Sequence, residues 1–165
     1  MAHIFKLNKE SLKREFSVYV VIIRSNAGIR LYVGKTGDNR EGCNPIISRC
    51  GNHFSYNNIH SQIRNAIENH EDCDYTYVFN HFGKYSNNKT ERKFQIDQIN
   101  EMERWLNIEM QKLSEKSKSF TIINPLKGKS RLSNQEILLR NSFHTSDNEH
   151  KINDIVQSVS KNLQL

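Results

Sequence analysis

Ser17-Val18-Tyr19-Val20-Val21-Ile22-Ile23 and Leu31-Tyr32-Val33-Gly34-Lys35-Thr36, joined by Arg24-Ser25-Asn26-Ala27-Gly28-Ile29-Arg30, form the stretch that decides how this chain folds. Both flanks are rich in β-branched and aromatic residues, which suit a pleated strand. The Asn-Ala-Gly between them has turn chemistry. Two such runs around a short glycine-bearing turn read as a β-hairpin over residues 17–35. The hairpin sets Tyr19 and Tyr32 on neighbouring strands, where both can face one site.

Working outward, residues 1–16 read as an amphipathic leader, helical from Lys9 to Phe16. A polar loop from Thr36 to Asn44 follows the hairpin. Pro45 suits a first helical position, with Asn44 as the cap. Ile59, Ile63, Ala66 and Ile67 fall at helical spacing. Tyr75 to Phe82 is β-rich, with aromatic residues at its odd positions as far as Phe79, and is expected to be a third strand. The longest helical pattern, Thr90 to Lys116, carries Ile99, Met102, Leu106, Met110 and Leu113 along one stripe. Phe120 to Leu126 is expected to be extended, because Asn124 precedes Pro125 and the residue before proline avoids helix. A basic loop, Lys127-Gly128-Lys129-Ser130-Arg131, leads to a helix start at Ser133 and a last helix over Ile152 to Leu163. The expectation is an α/β fold, a small antiparallel or mixed three-stranded sheet flanked by helices. It divides into a leader (1–16), a central domain (17–126) and a helical C-terminal extension (127–165).

The 165 residues suit one compact domain. No apolar run approaches the roughly 20 residues of a membrane span, and the N-terminus lacks the apolar stretch of a signal peptide. An intracellular, cytoplasmic protein without membrane contact is expected. Cys43, Cys50 and Cys73 are an odd number, which argues for reduced thiols rather than a disulfide framework. The net charge of +6 is compatible with a polyanionic partner.

Arg49 and His53 stand four apart, on one face of any helix that reaches both. Phosphodiester cleavage needs a cation where negative charge builds in the transition state. Arginine supplies a permanent multi-donor charge, and histidine can donate or accept a proton. Together with Val18-Tyr19-Val20 and Tyr32-Val33-Gly34, this order of residues resembles the GIY-YIG nuclease family. The resemblance runs from about Val18 to Pro125, although the first motif is Val-Tyr-Val rather than Gly-Ile-Tyr. It implies a GIY-YIG-like sheet and a divalent-metal-dependent endonuclease acting on DNA. His60-Ser61-Gln62-Ile63 resembles a His-Ser-Ser-Ile stretch of the homing endonucleases in that family, which makes His60 a substrate-binding candidate, alongside Lys35 and the family's closing Asn124.

The resemblance further implies one glutamate on a later helix as the ligand of a single Mg²⁺, for which Mn²⁺ may substitute. A carboxylate is a hard oxygen ligand suited to that ion. Met102-Glu103-Arg104-Trp105-Leu106 resembles the family's hydrophobic-Glu-x-x-Leu pattern and favours Glu103. Glu109 is the alternative, closer to the family's spacing before the closing Asn124. In that scheme Tyr19 acts as general base, its pKa lowered by nearby positive charge that includes Lys35. Tyr32 hydrogen-bonds the phosphate, Arg49 neutralises transition-state charge, and His53 orients water or relays a proton. Which tyrosine is the base stays open, as does Arg40 as a fallback for Arg49. By analogy the chain is closest to a restriction-type enzyme working as a homodimer. Two other readings remain: a catalytically silent nucleic-acid-binding module of the same fold, and a structural zinc site using Cys50, His53, His70 and Cys73.

Overall fold

The computed structural model describes residues 2–37, 43–127 and 132–165. Arg40 and most of the basic loop after Lys127 lie outside the described residues. A short 3-10 turn at Lys9–Leu12 precedes β1 (Glu15–Ser25), β2 (Gly28–Lys35), α1 (Ile46–Phe54) and α2 (Gln62–Ala66). Then follow β3 (Asp74–Lys84), α3 (Lys89–Ser117), β4 (Phe120–Ile122), α4 (Asn134–Ser142) and α5 (Ser146–Leu163). The sheet order is β3-β1-β2-β4, antiparallel except for the parallel β2–β4 pair.

The hairpin forms as expected, with Ser25 opposite Gly28 and only Asn26 and Ala27 between them. Gly28 has φ +124, a region that glycine alone enters without strain. β1 is central and covered on both faces, which explains its unbroken apolar run from Val18 to Ile23. Val18, Val20 and Ile22 join Leu31 and Val33 against Ile99, Met102, Leu106 and Met110 of α3. On the other face Tyr19, Val21 and Ile23 join Tyr32, Ile46, Ile63 and Ile67. The phenols therefore face the side covered by α1 and α2.

Several expectations need correction. The sheet has four strands, not three, because Phe120–Ile122 pairs with Ile29–Leu31. A strand of three residues shows no alternation, and its partner lies across the 29-residue α3, so local pattern cannot reveal it. The leader is not helical to Phe16; that residue already sits in β1, buried. The cap of α1 is Pro45 rather than Asn44. Ile59 is 76% exposed and precedes α2. There the Asn57 side chain accepts from the Ile59 N–H at 3.0 Å, and the Ser61 hydroxyl donates to the Asn57 carbonyl at 2.5 Å. Such local bonds compete with helix formation.

The C-terminal extension is part of the same core. Its last helix starts at Ser146, six residues before Ile152, capped by the Thr145 hydroxyl accepting from the Asn148 N–H at 3.3 Å. Ile152, Ile155 and Val159 of α5 are buried with the α3 face of the sheet. No described helix is long and apolar enough to cross a membrane.

Candidate functional site

Tyr77, Val21 and Tyr32 lie in one row across β3, β1 and β2. Tyr19, two residues before Val21 on the same face, lies between Phe79 and Gly34. A Cβ on Gly34 would come within 2.5 Å of the Tyr19 hydroxyl oxygen, so the ring lies across the bare backbone there. That close approach requires glycine in the second tyrosine motif. Tyr19 and Tyr32 rings are 6.4 Å apart, centre to centre.

Helix α1 continues through Gly51 and carries both Arg49 and His53 over this row of phenols. His53 is fully buried, 5.7 Å from the Tyr19 ring and 5.1 Å from Tyr32. Its Nε2 is 3.0 Å from the Tyr19 hydroxyl, and its Nδ1 is 2.9 Å from the Tyr77 hydroxyl. Arg49 Nε donates to the Tyr19 hydroxyl at 3.4 Å. The structure thus brings Tyr19, Tyr32, Arg49 and His53 into one cluster. Tyr77 is the member that sequence reasoning missed; its only signal was the aromatic face of the third strand.

The electrostatics depart from expectation in one respect. Burial drives the Tyr19 phenol well above the ordinary tyrosine range; Tyr32 and Glu103 push the same way, and Arg49 offsets only part of this. Tyr32 is raised for the same first reason. The expected lowering of the Tyr19 pKa is therefore overturned, because desolvation of a phenolate outweighs one neighbouring guanidinium. Lys35, expected to assist, is instead ion-paired with Glu103. His53 is lowered to about 3 by burial and by the Arg49 charge. It is neutral at physiological pH.

Glu103, on α3, is partly exposed and close enough to act electrostatically on both Tyr19 and Tyr32. Glu109 pairs with Lys112 on the same helix at 2.8 Å. Glu103 is thus tied through Lys35 to the strand of Tyr32, whereas Glu109 pairs within its own helix. The Asn124 side chain accepts from the Val33 N–H at 3.0 Å and donates to the Val33 carbonyl at 2.6 Å. Its own carbonyl accepts from the buried Asn107 of α3 at 3.0 Å. Asn124 thus ties the strand of Tyr32 to the helix of Glu103, and touches no reacting centre itself. His60 lies in the turn before α2, half-buried.

Among the described residues no three His, Cys, Asp or Glu side chains converge on a metal position. The zinc pairs do not assemble: His53 uses both ring nitrogens on phenols, and the Cys73 thiol donates to the Asn69 carbonyl at 3.3 Å. Mg²⁺ commonly takes one or two carboxylates and fills its shell with water and substrate phosphate oxygens. Glu103 fits such a shell as its one protein carboxylate, with the Lys35 ammonium as its competitor. Comparison with protein-family models, curated proteins and solved structures found no match to this chain.

Proposed function

We propose that this chain is a divalent-metal-dependent endonuclease that hydrolyses DNA phosphodiester bonds, the activity its resemblance to GIY-YIG nucleases implies. One observation carries the reading: Tyr19, Tyr32, Arg49 and His53 form a single cluster, and Glu103 pairs with Lys35 at the end of the Tyr32 strand. Residues separated by over eighty positions share one site in which a cation, neutral proton carriers and a carboxylate sit together.

Glu103 would hold Mg²⁺ or Mn²⁺, which would supply polarisation of the scissile phosphate and charge stabilisation at the leaving oxygen. Arg49 holds the phosphate and offsets charge as it builds in the transition state. Tyr32 donates a hydrogen bond to a phosphate oxygen. Tyr19 enters protonated: it accepts a hydrogen bond from the attacking water, takes its proton, and passes its own to His53 Nε2. In the isolated protein the Arg49 charge discourages a second proton on His53. A phosphate anion beside Arg49 relieves that, since an opposite charge favours the protonated form. Lys35 and His60 contribute substrate contacts in this scheme, and Asn124 holds the Glu103 helix to β2.

The restriction-type role and a homodimer suited to palindromic DNA belong to the same proposal. The Lys35–Glu103 ion pair favours a second reading, a catalytically silent nucleic-acid-binding module in which the ammonium replaces a metal ion. Supercoiled plasmid incubated with the protein and Mg²⁺ separates the two. Nicking that Tyr19→Phe slows by on the order of 10²-fold supports the endonuclease. Retarded but uncut plasmid across varied DNA substrates supports the silent module.

A further inference from the structure

Every hydrogen bond in the buried chain through His53 can be given a direction, because Arg49 stands at one end and can only donate. Its Nε donates to the Tyr19 oxygen at 3.4 Å. Among the described residues, the acceptor placed for the Tyr19 proton is His53 Nε2 at 3.0 Å. A neutral imidazole has one acceptor and one donor nitrogen, so Nδ1 then carries the proton and donates to Tyr77 at 2.9 Å. Running the chain backwards would aim both Arg49 and His53 protons at the Tyr19 oxygen and leave the Tyr19 proton without that acceptor. A buried hydroxyl stranded in this way is costly.

We infer that Tyr77 is a positioning residue for His53: it accepts from Nδ1 and holds the ring so that the bare Nε2, fixed from the Arg49 end of the chain, faces Tyr19. Tyr77 touches neither phosphate nor metal in the proposed reaction; it acts through His53, as orienting partners do for catalytic and metal-bound histidines. The opposite tautomer would point an N–H at Tyr19 and deprive it of the His53 acceptor. The functional consequence rests on the endonuclease reading, whereas the tautomer does not.

Nitrogen-15 NMR of histidine-labelled protein tests this without DNA. The His53 signals are assigned among the seven histidines by comparison with His53→Gln. The expected wild-type spectrum has an unprotonated, imine-type Nε2 and a protonated, pyrrole-type Nδ1. In Tyr77→Phe, Tyr19 still donates to Nε2, which stays imine-type, while the Nδ1 signal moves because its N–H has lost its acceptor. On DNA, the same variant is expected to lose about 10–100-fold in kcat with KM little changed. A proton on Nε2 in the wild type overturns the inference even if Tyr77→Phe does not fold, as does a folded Tyr77→Phe whose Nδ1 signal does not move. If the tautomer behaves as expected while no DNA is cut, the endonuclease reading fails and the role of Tyr77 in orienting His53 stands.

Discussion

Gly34 and His53 are the residues through which the site is most open to measurement. Gly34→Ala places a methyl group against the Tyr19 ring, and overpacking of this kind costs about 1–3 kcal/mol. A lower unfolding midpoint is expected, and an unchanged midpoint would mean that the ring does not lie across Gly34. His53 is held near a pKa of about 3, against about 6.5 for an unperturbed imidazole. Between those values the unfolded chain binds a proton that the native one refuses, so stability falls as pH drops. The His53 contribution is complete above about pH 6.5 and declines progressively toward pH 3, by roughly 3 kcal/mol at pH 4. Denaturant unfolding of wild type and His53→Gln at pH 7.5 and near pH 4 checks this. The acid-induced loss should be smaller in the variant, and equal losses would contradict a buried neutral His53. Tyr19, Tyr32, Arg49, His53 and Glu103 were legible because residue type and order survive in a sequence. Tyr77 was not, since an aromatic strand face looks the same whether it packs or orients a histidine. The direction of the Tyr19 pKa was misread because burial arises from α1 and α2 closing over the sheet.

The elements that hold the two walls of the site together are β4 and α3. Asn124 makes two bonds to Val33, and its backbone accepts from Asn107. Asn124→Ala leaves both Val33 groups without these partners, a loss of about 1–3 kcal/mol. Thermal unfolding should show it, and a midpoint equal to that of the wild type would mean that β4 does not depend on this side chain. Farther along α3 the Glu101 carboxylate, almost fully buried, accepts from Arg104 at 2.7 Å and lies 2.8 Å from His144 Nε2. Burial raises its pKa, and the bonds from Arg104 and His144 outweigh that and hold it low. The sequence singled out Asn124 and the span of α3, because a proline stop and a 3.6-residue stripe are local signals. It concealed the β2–β4 pairing and the buried role of Glu101, which depend on partners many residues away.

At the scale of the whole molecule, the C-terminal extension belongs to the fold. Ile152, Ile155 and Val159 fill the same core as Val18, Val20 and Ile22. A chain ending at residue 126 would lose Phe143, Ile152, Ile155 and Val159 from this core, and is expected to lose cooperative unfolding by calorimetry. A sharp, wild-type-like transition would instead restore the extension to an appendage. With that core intact, the sheet sets the phenols on one side, and the Lys35–Glu103 pair ties α3 to the strand of Tyr32. The central claim is that this carboxylate completes a phosphodiester-cleaving site. Its most direct test is the Mg²⁺-dependent nicking rate of supercoiled plasmid by wild type, Glu103→Ala and Glu109→Ala under identical conditions. The expected result is a loss on the order of 10²-fold or more for Glu103→Ala with Glu109→Ala close to wild type; normal cutting by Glu103→Ala would contradict it.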